Sequence, residues 1–176
     1  MMNEEILKPV IIENTIIAGY FVSNLGNIYS CMVLNRLIDG TFINTIDLNQ
    51  NKIIKPSKTS AGYLRVPIVF PKGLFGYKYM SSSKKTQRRY CSVHKLVIDA
   101  FKPFDQFLPD CINEKSYEKC DESIKILLRQ LFLINHKDHN KENNHIDNLE
   151  RVTPRENSHS AKIFYNGNTA NACKSK

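Results

Sequence analysis

The chain has no CxxC pair: its five cysteines, Cys31, Cys91, Cys111, Cys120 and Cys173, are odd in number and widely spaced, which excludes a disulfide framework and a cysteine zinc knuckle. Free thiols are expected, with Cys91 in the core because it stands inside an apolar strand. No apolar run is long enough to cross a bilayer, since the longest, residues 124–133, is broken by Lys125, Arg129 and Gln130. A membrane span is not expected. The first residues, Met1-Met2-Asn3-Glu4-Glu5, carry two acids and no basic stretch ahead of an apolar one. They resemble neither a secretory signal nor an Arg-rich transit peptide, which leaves an intracellular location as the expectation. Internal repeats and low-complexity linkers are missing too. What remains, 176 residues with 41% hydrophobic and 24% charged content, suits one compact core or two small ones.

Acid is nearly missing from residues 51–100, which hold eleven of the 25 Lys and Arg but only Asp99 of the 17 acids, a balance of +10 against −2 for the rest of the chain. Such a concentration of positive charge attracts a polyanion. The arrangement favours that reading over a merely solvated surface, because "GYLRVPIVF" (62–70) and "RRYCSVHKLV" (88–97) alternate as β-strands on either side of the polar "SSSKKTQ" (81–87). A basic, aromatic-bearing β-ribbon can enter a DNA groove with Lys and Arg on phosphates. Arg65, Lys84, Lys85, Arg88 and Arg89 are the candidates, with Tyr63, Tyr90 and Lys95 beside them.

The other elements are legible from pattern. "IIAGYFVSNLGNIYS" (16–30) reads as strand, turn, strand around Ser23-Asn24-Leu25-Gly26-Asn27. "HKLVIDAF" (94–101) switches to helical spacing, with Leu96, Val97, Ala100 and Phe101 on one face, and His94 at the switch is expected to be structural or DNA-facing. Residues 102–122, acidic and containing Pro103 and Pro109, read as an irregular loop. "DESIKILLRQLF" (121–132) predicts a helix capped by Asp121 that buries Ile124, Leu127, Leu128 and Leu131. The last stretch, 166–176, is expected to be a flexible tail.

Residues 135–157, "NHKDHNKENNHIDNLERVTPREN", concentrate three histidines and six asparagines. "LFLIN" and "LERVT" predict short strands flanking them. "TPREN" then starts a helix, with Thr153 as cap, Pro154 at the first helical position and Glu156 closing a capping box. Strand, polar loop, strand, helix brings His136 at the end of the first strand towards Asn157 in the first turn of the helix.

"INHKDHNKENNHIDNLERVTPRENSHSA" resembles the HNH endonucleases, whose ββα-metal motif runs from an NH or DH pair through an asparagine-rich loop to N-L-x-x-V-T and an E-N pair. "GYFVSNLGNIYS" resembles the small nuclease-associated module that precedes such domains in homing-type enzymes, and "VHKLVIDAF" the usual join between them. The resemblance implies an α+β fold: a small antiparallel β-sheet module with DNA-binding character (1–90), then an HNH nuclease domain (91–165) carrying an acidic insertion at about 102–132. It implies His136 as general base, Asn148 acting on His136 from across the loop, and Asn135 and Asn157 holding one Mg²⁺ or Mn²⁺, with zinc not expected. The substrate would be double-stranded DNA, nicked by a monomer or weak dimer that leaves 5′-phosphate and 3′-hydroxyl ends. The chain departs from the family in offering two neutral amides as metal ligands and in placing His139 where the family has a loop glycine. A DNA-binding protein of the same shape without cleavage, or a zinc site among His136, His139, His145 and His159, are the competing readings. A calcium loop is set aside, because Asn143 and Leu149 stand where such a loop needs Gly and Glu. Asp138 and His145 are expected to tie the turn, and His159 to lie on the surface.

Overall fold

The computed structural model describes residues 4–36, 38, 42–71, 74 and 86–160. Strand β1 (Leu7–Ile12) reverses into β2 (Thr15–Ser23) through Glu13 and Asn14, whose φ angles of 50° and 60° give the turn twist that suits an antiparallel hairpin. The next reversal falls where the sequence places it. Gly26 takes φ 91°, Ser23 Oγ accepts from the Asn27 amide at 3.0 Å, and Asn24 Oδ1 accepts from the Ile6 amide at 2.7 Å. β3 (Ile28–Ser30) follows, then a separate ribbon of β4 (Met32–Arg36) and β5 (Phe42–Ile46), and β6 (Lys52–Ile53) completes a sheet in the order β1-β2-β3-β6.

A second sheet, β7-β8-β9, is made by β7 (Ser57–Lys58), β8 (Leu64–Pro71) and β9 (Thr86–Ser92). Alternation sends Val66, Ile68 and Phe70 inward, and the Tyr20 hydroxyl accepts from the Val69 amide at 3.1 Å, tying the two sheets together. The strand expected to run to residue 97 stops at Ser92, and α1 (Val93–Phe101) takes over. Helical spacing prevails there because it buries Val93, Leu96, Val97, Ile98 and Ala100 against β1, β2, β8 and β9. One apolar cluster therefore takes in Val10, Val22 and Ile68 before residue 90 and Val97, Ile98 and Leu149 after it.

Two expectations need correction. Residues 102–122 are not all irregular, since α2 (Glu114–Glu118) forms with the Asn113 side chain capping the Ser116 amide at 3.0 Å. The helix expected at 121–132 exists as α3 (Glu122–Leu131), with Asp121 at the cap position but making no side-chain capping bond, and it buries no residue. Ile124, Leu127 and Leu131 are 45%, 56% and 52% exposed. What attaches α3 is polar and aromatic. Arg129 bridges Asp105 (2.8 Å) and Glu122 (2.7 Å), while the Phe132 ring lies 5.5 Å from that of Phe104. Asp105 also accepts from the Tyr117 hydroxyl. Burial and this bond raise the Tyr117 pKa to about 12.

The chain then makes β10 (Leu133–His136), a 3₁₀ turn (Ile146–Asn148), β11 (Leu149–Val152) and a helical run over 154–160, here α4. β10 and β11 pair antiparallel with His136 opposite Leu149 and Asn135 opposite Glu150. The Thr153–Glu156 capping box is present: Glu156 Oε2 accepts from the Thr153 amide at 2.7 Å and Thr153 Oγ1 from the Glu156 amide at 3.3 Å. The architecture is thus mixed α and β, with several small antiparallel sheets and few helices. Among the described residues no helix is long and apolar enough to cross a membrane. Lys84, Lys85 and residues 161–176, with the expected tail and Cys173, lie outside the described residues.

Candidate functional site

The asparagines of residues 135–157 do backbone work. Asp138 Oδ1 accepts from the Asn140 amide at 2.8 Å and from Asn148 Nδ2 at 2.9 Å, and its Oδ2 from Asn143 Nδ2 at 2.6 Å. Asn148 also donates to the Asn143 carbonyl at 2.8 Å and accepts from the Asp138 amide at 3.1 Å. An irregular loop leaves backbone donors and acceptors without ladder partners, and short amide side chains can reach them. Burial would raise the Asp138 carboxyl, but the bonds from Asn143 and Asn148 outweigh it and hold its pKa down. His139 takes φ 58°, the left-handed region that histidine enters more readily than bulkier residues. The glycine of the resemblance is therefore not needed for this turn.

His136, 3% exposed, ends β10 beneath the loop. Its Nε2 lies 3.2 Å from Asn144 Oδ1, and Asn144 Nδ2 donates to the Glu142 carbonyl at 3.1 Å. That second bond fixes which end of the amide is oxygen, so the oxygen faces the ring and His136 must carry its proton on Nε2. The lone pair is left on Nδ1, which makes no hydrogen bond among the described residues and is not sealed from solvent. Burial lowers the His136 pKa, with the Asn144 bond and the Asp138 charge acting the other way. The ring is neutral at pH 7 and able to accept a proton.

The partner of the ring is therefore Asn144. Asn148 clamps Asp138 and Asn143 and makes no hydrogen bond to His136. Asn135 donates from Nδ2 to Glu150 Oε1 at 2.9 Å, which leaves its amide oxygen as the free end. Asn157 sits half-buried in the first turn of α4, its amide N–H on the Thr153 carbonyl at 3.0 Å, and its side chain makes no hydrogen bond among the described residues. His145 ties the turn, its Nδ1 accepting from the Asp147 amide at 3.2 Å, and His159 is exposed. No group of three or more His, Cys, Asp or Glu side chains able to hold a metal occurs among the described residues.

The structure divides the basic set. Arg65 and Arg88 are exposed on the outer face of the β8–β9 ribbon, where Tyr90 carries the Arg65 guanidinium 4.8 Å from its ring centroid. Arg89 has the opposite parity and reaches Glu13 at 2.7 Å. Lys95 pairs with Asp99 at 3.3 Å. Tyr63 leaves the ribbon altogether and packs 6.0 Å from the His136 ring and 5.1 Å from that of His94, beneath the Lys141 ammonium at 4.7 Å.

No protein-family model and no curated protein matches the chain. Its structure is similar to one described as "DNA binding and cleavage by the HNH homing endonuclease I-HmuI". The identity is 22%, the match covers 90% of this chain and 58% of that one, and the TM-score is 0.48. A likeness at that level carries no conclusion about activity.

Sequence reasoning missed Asn144, Glu150 and the packing of His94 and Tyr63 on His136. Glu150 had a signal: once His136 is set opposite Leu149, the antiparallel register places residue 150 opposite residue 135. Asn144 had none that distinguishes it from its neighbours, because six asparagines share the segment.

Proposed function

We propose that this chain is a metal-dependent DNA endonuclease of the HNH type that hydrolyses phosphodiester bonds of double-stranded DNA. The observation that carries the proposal is the tautomer lock on His136, in which Glu142 O holds Asn144, Asn144 Oδ1 holds Nε2–H, and Nδ1 is left as a base at the mouth of a strand–loop–strand–helix unit. A merely structural histidine does not require its second nitrogen free.

In the reaction, His136 Nδ1 takes a proton from the water that attacks phosphorus. The oxygen–phosphorus bond forms as the bond to the 3′ oxygen breaks, and solvent reprotonates that oxygen, leaving 5′-phosphate and 3′-hydroxyl ends. Asn144 Oδ1 continues to accept from Nε2–H as the ring becomes cationic, and the Asp138 carboxylate favours the same charge. Side chains of the same strand–loop–strand–helix unit offer what a hard divalent cation takes: the Asn135 side-chain oxygen is free because Glu150 engages its nitrogen, the Asn157 side chain makes no hydrogen bond among the described residues, and Glu150 adds a carboxylate, all oxygen donors. Mg²⁺ or Mn²⁺ held by Asn135 and Asn157 would screen the charge that develops on the leaving oxygen. Arg65 and Arg88, with Tyr90 between them and Lys95 on α1, would hold the duplex by its phosphates, joined by Lys84 and Lys85 of the connecting segment. One such site cuts one strand per encounter, so nicking is the expected product.

Supercoiled plasmid incubated with the native protein and Mg²⁺ or Mn²⁺ should relax to open circles, and should stay supercoiled with EDTA or with His136→Ala. Native protein that binds the plasmid and leaves it supercoiled with either metal would overturn the proposal in favour of a binding protein without cleavage.

A further inference from the structure

The proposed reaction leaves one buried polar group beside His136 without a task. His94, in the first turn of α1, presents its ring edge-on to His136 at 5.4 Å between centroids and 79° between planes, and Tyr63 closes the triangle. His94 Nδ1 is sealed from solvent with no hydrogen-bond partner, whereas Nε2 is not sealed and also makes no hydrogen bond among the described residues. An orphaned buried N–H is rarer in proteins than an under-satisfied acceptor, so the proton belongs on Nε2. The ring therefore offers an N–H outward, next to the base. Burial, then the His136 and Lys95 charges, hold its pKa down to about 4, and the donor is neutral throughout the neutral range. An imidazole serving only to fill space would be better replaced by an apolar ring with no nitrogen to satisfy.

We propose that His94 is a second catalytic group of this site, its Nε2–H donating to a non-bridging oxygen of the phosphate whose attacking water His136 deprotonates. This rests on the endonuclease reading and adds to it. Negative charge grows on those oxygens as the new bond forms, so a donor aimed at them binds the transition state more tightly than the substrate. Neutrality matters at this spacing. A cation 5.4 Å from His136 would oppose the imidazolium that must form there, and a neutral N–H does not. Positive charge enters instead from the rim, through Lys141, which lies over the outer ring Tyr63 and is held by the Ala61 carbonyl at 2.9 Å.

The test is single-turnover cleavage of a duplex with Mg²⁺ by full-length His94→Phe, His94→Gln and His94→Asn, with duplex affinity measured separately in Ca²⁺. Phenylalanine keeps the ring and removes both nitrogens. Glutamine sets an amide N–H near the place of Nε2, and asparagine reaches only the place of Nδ1. His94→Phe should slow cleavage on the order of 10²-fold with duplex affinity within about twofold of native, and His94→Gln should recover at least about tenfold of that loss where His94→Asn recovers none. A space-filling role predicts the reverse, with phenylalanine tolerated best. Cleavage by His94→Phe at the native rate, or glutamine no better than asparagine, overturns the proposal while native cleavage leaves the endonuclease reading standing. Native protein that cleaves nothing overturns both. If His94→Phe shows no cooperative melt, the comparison of glutamine with asparagine decides.

Discussion

Lowering the pH from 7 to 5 should destabilise this protein through an imidazole that refuses a proton. His94 is held down to about 4, against ~6.5 for histidine in an unfolded chain. Above pH 6.5 both states are neutral and the stability is full. As the pH falls below that value, the unfolded chain takes up a proton that the folded one does not, so stability falls until about pH 4, where the folded ring protonates as well. A gap of about 2.5 pH units sets a ceiling of about 3 kcal/mol, and the titration curve places about 2 kcal/mol of the loss between pH 7 and pH 5. His136, also held down by burial, adds loss of the same sign. The carboxylates whose pKa is lowered, Glu5, Asp105, Asp138 and Glu156, lose their contribution only at lower pH, as they protonate, so the interval from 7 to 5 isolates the imidazoles.

Urea unfolding of native protein and His94→Phe at both pH values, at equal ionic strength, gives the comparison as two differences in midpoint. The variant should lose about 2 kcal/mol less than the native protein over that interval. Equal losses would refute the claim that burial keeps His94 neutral, and with it the assignment of its proton to Nε2 alone.

Three further outcomes are expected. Gly26→Ala combines a left-handed φ of 91° with a new Cβ only 2.8 Å from Asn144 Cβ and 3.1 Å from Asn144 backbone carbon. It should cost about 2–3 kcal/mol by thermal melting and also slow nicking, because the residue it displaces holds His136. Asn148→Ala removes two donated bonds and one accepted bond from the loop and should cost about 2–3 kcal/mol. Asn144→Ala should instead keep most of the stability and lose at least about tenfold in cleavage rate, since it frees the tautomer; equal melting losses for the two would contradict that division. Arg65→Ala and Arg88→Ala should each reduce the slope of log affinity against log salt by about 1, and Arg89→Ala by less, because its guanidinium already faces Glu13.

Local periodicity told which residues share a face, and it was right wherever something lay opposite that face. The alternation at 64–71 and the helical stripe of Leu96, Val97 and Ala100 found their partners in one cluster. The stripe of α3 has the same quality of pattern, yet Ile124, Leu127 and Leu131 are exposed, because periodicity carries no information on whether an opposing surface exists. The capping box was legible for a different reason, being complete within four residues. The partner of His136 was not. Asn144 and Asn148 are the same residue type in one loop, and which of them reaches the ring depends on the path that Asp138 imposes on the backbone between them. Tyr63 and His94 were placed on the basic ribbon and at a strand-to-helix switch, and their meeting over His136 follows only from how α1 crosses β8.

The expected boundary near residue 90 can be tested by the same physics. Val93, Leu96, Val97 and Ile98 of α1 are buried largely against strands that precede it, and burying a side chain of that size stabilises by about 1.5–3 kcal/mol. Four of them amount to about 6–12 kcal/mol, comparable with the whole stability of an ordinary domain, about 5–15 kcal/mol. The loop between β10 and β11 leans on the same part of the chain. The Ile146 amide donates to the Asn24 carbonyl at 2.8 Å, Gly26 abuts Asn144, Lys58 pairs with Glu142, and Lys141 reaches the Ala61 carbonyl at 2.9 Å. A fragment of residues 91–176 should therefore show no cooperative melt by far-ultraviolet circular dichroism and no Mg²⁺-dependent nicking. If it melts cooperatively and nicks plasmid, the loop geometry that positions His136 is self-supporting, and the N-terminal strands serve only to hold DNA.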